Sequence, residues 1–143
     1  MILGIDIGGT TSKLGLVRDG QVIARARIGT TGHADDHAFA DALAHEARQL
    51  AGAHGTRISA IGIGAPNANQ LTGIIEMAPN LPWKHDVPLA RMMADRLGAP
   101  AVLGNDAMNL RQAKPRTAPD FFRREEGLED VGHIFGRNPL AGI

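Results

Sequence analysis

The stretch 6–13 places a carboxylate, two glycines, three hydroxyls and a lysine within eight consecutive residues, Asp-Ile-Gly-Gly-Thr-Thr-Ser-Lys. Two adjacent glycines leave backbone N–H groups open to an anion, the threonine hydroxyls add donors, and Lys13 adds a positive charge. These groups are typical of a phosphate-binding turn. The stretch is not a Walker A loop, because no Gly-Lys-Ser/Thr follows a four-residue spacer and no helix is predicted after the turn.

Asp6 precedes the glycines at the end of an apolar run and faces the same turn. There it would hold Mg²⁺ directly or through water, as phosphate sites commonly require. The alternative is a plain hairpin, in which the glycines make the turn, the threonines favour strand structure and Asp6 caps the turn. The residues of this stretch alone leave both interpretations open.

A second candidate site is the pair Asn105 and Asp106, which follows a short apolar stretch and precedes a possible helix. A carboxylate at a helix N-terminus is kept ionised by the helix dipole and by free N–H groups, so Asp106 can act as a general base toward an alcohol. The amide of Asn105 both donates and accepts hydrogen bonds, which suits sugar hydroxyls. The alternative is a helix N-cap, a role that Asn and Asp fill routinely.

Two proline-containing loops carry Asn67, Asn80 and Trp83. Polar amides beside an aromatic face suit a polyol, although loop asparagines usually bond their own backbone. Both interpretations stay open for these three residues.

Patterns for metal binding or nucleophilic catalysis are weak. His33, His37 and Asp41 have helical i, i+4, i+8 spacing, but without a fourth ligand or an HExxH motif a solvated face is favoured, and no metal site is predicted. The chain has no cysteine, which excludes a thiolate nucleophile and a cysteine zinc site. Neither Ser12 nor Ser59 lies in a G-x-S-x-G elbow, so a serine hydrolase is unsupported.

Apolar periodicity predicts the elements that must position these residues. The predicted elements are strands at 2–7, 13–17 and 22–28, a helix with its apolar stripe over 39–50, a buried strand at 58–63, a helix opened by Val87-Pro88 and closed by Gly98, and a strand at 99–104. The predicted order is therefore βββαβαβ, in a mixed α/β sheet. Open α/β sheets bind ligands at the carboxyl ends of their strands, where Asn105 and Asp106 fall.

Length and charge limit the classes of function. The chain has 143 residues, with 15 basic and 15 acidic side chains and no net formal charge, which suits one domain without overall attraction to nucleic acid or anionic membranes. No apolar run approaches membrane-spanning length, and the charge at Asp6 interrupts the start before a signal-peptide core could form. We therefore expect a cytoplasmic protein with no nucleic-acid or membrane partner.

Four stretches, taken together, resemble the N-terminal lobe of the ROK family of sugar kinases and repressors, within the actin-like or hexokinase-type ATPases with a ribonuclease H-like fold. The stretches are 3–13, 61–66 (Ile-Gly-Ile-Gly-Ala-Pro), 78–83 (Ala-Pro-Asn-Leu-Pro-Trp) and 105–107 (Asn-Asp-Ala). Their order and spacing are similar to those of bacterial ROK glucokinases over about residues 1 to 107. Four motifs in register are more specific than any one of them.

The resemblance implies an α/β actin-like lobe and transfer of phosphate from ATP, with Mg²⁺, to a hexose such as glucose, with a homodimer as one assembly of the intact family. It implies that Asp106 deprotonates the attacking hydroxyl and that Asn80, Asn105 and Asp106 bind the sugar. The residues implied to bind phosphate and Mg²⁺ are Asp6, Gly8, Gly9, Thr10, Thr11 and Lys13.

The sequence also departs from the family. Asn67 stands where many ROK proteins have Gly, and the resemblance ends after Ala107. The family's second Gly-rich phosphate motif, sugar-binding Glu and His, Cys-rich zinc motif and adenine-binding lobe have no counterpart, and 108–143 is marked instead by Arg, Pro and Phe. We therefore divide the chain into a lobe, 1–107, and a divergent segment, 108–143, of the kind that truncation or a frameshift of a kinase gene would produce.

The sequence thus predicts the N-terminal part of an ATP-dependent hexose kinase, inactive as this chain alone. One alternative is a non-catalytic sugar-binding fragment. Another is the remnant of a ROK repressor, which would need a winged-helix segment before the hairpin, whereas this chain starts at the first strand.

Overall fold

The structure, a computed structural model, describes residues 1–105. Asp106 and the predicted divergent segment 108–143 lie outside the described residues. The elements are β1 (Ile2–Ile7), β2 (Thr11–Arg18), β3 (Gln21–Gly29), α1 (Asp36–Ala53), β4 (Ala60–Ala65), β5 (Ala68–Asn69), β6 (Ile74–Ile75), α2 (Leu89–Leu97) and β7 (Ala101–Asn105).

The main sheet has five strands in the order β3-β2-β1-β4-β7. The first three strands pair antiparallel as a meander, and β4 and β7 continue the sheet parallel to β1. The predicted mixed sheet is therefore confirmed. Because β1, β4 and β7 run in the same direction, their carboxyl ends meet at one edge of the sheet.

The apolar core lies on the sheet face that both helices cover. Alternate residues of β1, such as Leu3 and Ile5, join one buried cluster with Phe39 and Leu43 of α1 and Met93 of α2. Each such side chain contributes roughly 1.5–3 kcal/mol on burial. The apolar stripe predicted for the first helix is thus the surface that packs on the sheet. On edge strand β3 every second residue is half-buried, as its predicted alternation requires.

Both helices start and stop at residues that the sequence marks. Asp35 caps α1 by accepting a hydrogen bond from the Ala38 N–H at 2.7 Å, and Asp36 lies in the first turn. Pro88 precedes α2, and Gly98 ends it in the left-handed conformation with φ 63°. Neither described helix is long and apolar enough to cross a membrane.

The structure differs from the prediction in the region after β4. A second, two-stranded sheet of β5 and β6 was not predicted, because strands of two residues each are too short to show periodicity. Strand β4 begins at Ala60, two residues later than predicted, since Ala60 is the partner of Ile2 at the start of β1. Strand β7 likewise begins after Pro100, whose ring nitrogen cannot donate to a sheet.

We expect two glycine substitutions to change stability in opposite directions. Gly98→Ala should lower the free energy of unfolding by about 1–2 kcal/mol, because an L-residue is strained at φ 63°. Gly52→Ala should raise it by about 0.4–1 kcal/mol, because Gly52 lies in α1 and alanine reduces the entropy of the unfolded chain. Nothing lies within 4 Å of a Cβ added at either glycine, so side-chain packing contributes to neither change in stability. Urea denaturation measures both changes in the free energy of unfolding. Changes of the same sign would contradict the argument from backbone conformation.

Candidate functional site

The turn between β1 and β2 is a three-residue loop, 8–10, closed by a hydrogen bond from the Gly8 N–H to the Thr11 carbonyl at 3.1 Å. A Cβ at Gly8 would lie 2.6 Å from that same carbonyl oxygen, so this turn excludes any side chain there. Thr10 is exposed at the tip of the turn. Among residues 1–105, the N–H groups of Gly9 and Thr10 donate to no backbone carbonyl. Two successive open N–H groups form the kind of concavity that holds an anion.

The turn touches the loop that carries Asn80. A Cβ added at Gly9 would lie 3.0 Å from the carbonyl oxygen of Asn80, so the two backbones approach each other closely. The side chain of Asn80 is exposed. The fold therefore brings a residue predicted to bind sugar next to the turn predicted to bind phosphate, although 71 positions separate Gly9 from Asn80 in the sequence.

The loop that carries Asn80 is closed at its base by a β-bridge between Ile75 and Val87, and side chains fasten the rest of it. The Lys84 Nζ donates to the carbonyls of Pro79 and Leu81, each at 3.1 Å. Trp83 is 7% exposed and its ring lies 4.7 Å from that of Phe39, centroid to centroid. The interpretation of Trp83 as an aromatic face for a polyol is wrong, because this ring is part of the core.

A second connection joins the same loop to the start of α1. The Nε2 of His85 lies 3.2 Å from Oδ2 of Asp36, whose side chain is 11% exposed. Burial alone would raise the pKa of Asp36, but the hydrogen bond with His85, a backbone hydrogen bond and the nearby histidine charges outweigh it and lower that pKa. The ionised carboxylate thus ties the loop to the helix, a contact that sequence reasoning missed because 49 positions separate the partners.

Asp6 and Lys13 occupy one register position of the β1–β2 hairpin. On the other side of Asp6, strand β4 places Gly64, which has no side chain to fill the space. Burial raises the pKa of Asp6, and the positive charge of Lys13 opposes the rise without cancelling it. The two side chains do not form a direct ion pair. Both charges therefore stay available to a ligand at the end of β1.

These residues fit a magnesium-bound phosphate group. Mg²⁺ is usually held by one or two carboxylates together with phosphate oxygens and water, and Asp6 offers one carboxylate beside the open N–H groups of the turn. No cluster of three or more His, Asp or Glu side chains suited to a metal ion exists within 1–105, so the described residues hold no all-protein metal cage.

Asn105 ends β7 at the same sheet edge, opposite Ala65 of β4. Adjacent strands are about 4.8 Å apart, which places Asn105 about 10 Å across the edge from the end of β1. Asp106, the predicted general base, follows it outside the described residues.

Asn67 adopts a left-handed backbone with φ 52°. Apart from glycine, asparagine is the residue type that tolerates this conformation best, so Asn67 fits this position of the loop. Its side chain is turned back to the chain, since Nδ2 donates to the Met77 carbonyl at 3.4 Å. Asn67 therefore shapes the loop after β4.

The structure separates the three residues with helical spacing. His33 precedes α1, bonds the Gly29 carbonyl at 2.9 Å and stacks edge-on against Phe39. Asp41 pairs instead with Arg96 of α2 at 2.7 Å. His33 and Asp41 thus contact different parts of the described lobe.

Two buried hydroxyls beside the turn were missed. Ser12 and Thr30 are both 0% exposed, and their hydroxyl oxygens lie 2.7 Å apart. The only signal in the sequence is the inward position of Ser12 in the alternation of β2, which Leu14 and Leu16 continue.

The sheet order, the two described helices that pack on it and the turn at the end of β1 define an α/β lobe of the actin-like, hexokinase-type ATPase class. The model of the ROK family matches residues 2–116, and the chain belongs to that family.

Three relatives show the extent of the similarity. Glucokinase from Thermotoga maritima is 32% identical over 108 residues, covering 74% of this chain and 33% of that protein. The ROK hexokinase structure from Thermus thermophilus has 33% identity and a TM-score of 0.64, covering 74% of this chain and 35% of that one. The structure of a ROK family glucokinase from Streptomyces griseus, in complex with glucose and AMPPNP, has 32% identity and a TM-score of 0.62. The match covers 74% of this chain and 33% of that one. This chain thus spans about a third of the length of these relatives.

Asp6→Asn should raise the melting temperature at pH 7. The folded-state pKa of Asp6 lies above its unfolded value of 3.8, so the ionised carboxylate costs stability as pH rises through the folded-state pKa, and the amide removes that cost. The difference in melting temperature between Asp6→Asn and wild type should disappear at about pH 3, where the Asp6 carboxyl is protonated in both the folded and the unfolded state.

Thermal unfolding followed by circular dichroism at both pH values measures this effect. Asp95→Asn, on the exposed face of α2, is the matched control, and its melting temperature should differ little from that of wild type. A lower melting temperature for Asp6→Asn at pH 7 would show that attraction to Lys13 exceeds the cost of burial.

Proposed function

We propose that this chain forms the phosphate- and sugar-binding part of an ATP-dependent kinase that phosphorylates a hexose such as glucose. The close approach of Gly9 to Asn80 carries the proposal, because it joins an anion-binding turn to an exposed amide suited to sugar hydroxyls. Family membership and the glucokinase and hexokinase relatives support it.

The turn would receive the phosphates. The open N–H groups of Gly9 and Thr10, the hydroxyls of Thr10 and Thr11, and the charge of Lys13 would stabilise the negative charge that phosphoryl transfer spreads over oxygen atoms. Asp6 would hold Mg²⁺ beside them. ATP bound with Mg²⁺ supplies the phosphoryl group. The complex of the Streptomyces griseus glucokinase with AMPPNP supports ATP as the donor.

The sugar would lie along the same sheet edge, between the loop with Asn80 and the end of β7 at Asn105. We assign Asp106 as the general base that accepts the proton of the attacking hydroxyl. The assignment rests on the position of Asp106 directly after β7 and on the family motif 105–107.

We further propose that residues 1–107 are the functional lobe. We also propose that the 143-residue polypeptide by itself does not phosphorylate a hexose. It covers a third of the length of the glucokinase it matches, and the groups that orient the adenine and the sugar in that class have no counterpart in it. Complete loss of orientation removes about 7–11 kcal/mol of transition-state stabilisation.

A coupled assay with the purified polypeptide, glucose and Mg·ATP should therefore detect no turnover. The glucokinase of Thermotoga maritima, assayed in parallel, is the positive control. Glucose- and ATP-dependent turnover approaching about 10 s⁻¹, a common enzyme value, would contradict the proposed inactivity and support kinase activity directly.

Asp106→Asn tests the proposed base in a chimaera. Residues 1–116 of this chain replace the matching segment of the Thermotoga maritima glucokinase, which supplies the other two thirds. The chimaera should phosphorylate glucose. Asp106→Asn should lower kcat by roughly 10²–10⁴-fold with little change in glucose affinity, because the amide keeps the shape and an acceptor oxygen but cannot take a proton.

Asp95→Asn is again the matched control. Near-normal kcat with weakened glucose affinity would make Asp106 a binding or capping residue. A folded chimaera that binds glucose without phosphorylating it would instead favour the non-catalytic sugar-binding alternative.

A further inference from the structure

Thr30 holds the turn of the hairpin from two sides. It follows β3, and its Oγ1 donates to the Gly8 carbonyl at 2.7 Å. Its backbone N–H donates to the Thr10 carbonyl at 2.9 Å. One residue outside the hairpin thus fixes two carbonyl groups of the turn 8–10.

Ser12 completes a chain of hydrogen bonds. The Thr30 hydroxyl has one hydrogen, which goes to the Gly8 carbonyl, so the Ser12 hydroxyl must be the donor in the 2.7 Å contact between them. Both side chains are fully buried, where an unpaired hydroxyl would be costly. The direction of the chain, from Ser12 to Thr30 to Gly8, is therefore set by the number of available protons.

This chain determines where the N–H groups of the turn point. No described peptide bond is cis, and in a trans peptide the C=O and the following N–H point in opposite directions. Holding the Gly8 carbonyl toward Thr30 turns the Gly9 N–H to the opposite side. Holding the Thr10 carbonyl does the same for the Thr11 N–H.

We propose that Thr30, supported by Ser12, is a positioning residue that fixes the turn so that the Gly9 N–H group, one of its two open donors, faces the phosphates before any ligand binds. The role rests on the proposed phosphate-binding function of the turn. Donors oriented in advance need no rearrangement when charge arrives, which is how fixed dipoles stabilise phosphate oxygens.

The test uses the 143-residue chain, with magnesium pyrophosphate as the probe in isothermal titration calorimetry. Thr30→Val keeps the branched shape but removes the hydroxyl, and should weaken binding by about tenfold, the effect of one hydrogen bond of ordinary strength. Thr30→Ser keeps the hydroxyl and should restore most of the affinity. The pyrophosphate affinity of Ser12→Ala should lie between those of Thr30→Val and Thr30→Ser. Thr31→Val, a substitution at the exposed neighbouring residue, should bind pyrophosphate like wild type.

A control separates positioning from stability. Ala47→Gly destabilises α1 at a buried position far from the turn in sequence. Pyrophosphate affinity that follows melting temperature across Ala47→Gly and Thr30→Val would overturn the proposal, as would equal losses in Thr30→Val and Thr30→Ser. If Thr30→Val does not fold, Ser12→Ala and Thr30→Ser decide the same question.

Amide hydrogen exchange distinguishes this proposal from the proposed function. Thr30→Val should speed exchange at the Gly8 and Thr30 N–H groups and leave α1 unchanged, whether or not pyrophosphate binds. If wild type binds no pyrophosphate, the phosphate-binding function of the turn fails, and the exchange rates still decide whether Thr30 orders it. Unchanged exchange in Thr30→Val would overturn the positioning role.

Discussion

The arrangement of the whole site depends on the pairing of β1. This strand has antiparallel β2 on one side and parallel β4 on the other, so it belongs both to the opening meander and to the parallel part of the sheet. Its end therefore carries the tight turn of a hairpin and also lies at the edge where β4 and β7 end. No other described strand of the sheet joins the two kinds of pairing. The turn 8–10 can meet groups delivered by later strands only because of this position.

The cost of this arrangement falls on Asp6. Strands flank Asp6 on both sides, and burial disfavours its charged form more than Lys13 favours it. A structure selected only for stability would pair or remove such a charge. This cost in stability agrees with the proposed role of Asp6 in holding Mg²⁺, because a carboxylate without a direct ion pair can still bind a cation.

The loops at this edge are held in place by specific side-chain contacts. Lys84 bonds the carbonyls beside Asn80, His85 reaches Asp36, and Trp83 stacks on Phe39. Thr30 acts similarly on the hairpin turn. The exposed Asn80 amide thus stands on a loop held both by the buried Trp83 and by hydrogen bonds from the exposed Lys84 and His85, so it can face a ligand without being ordered by it.

The sequence by itself predicted the meander, both helices, the order of the long elements and the turn after Ile7, because periodicity and capping residues act over a few positions. By resemblance to the family it also predicted that Asn80 binds sugar, without placing that residue beside the turn. Tertiary structure alone decided that Gly9 packs on the Asn80 backbone, that Trp83 enters the core, that His85 bonds Asp36 and that Ser12 and Thr30 form one buried chain. Each of these contacts joins residues 18 to 71 positions apart. Local patterns cannot encode such pairs, since they form only when the sheet order brings distant loops to one edge.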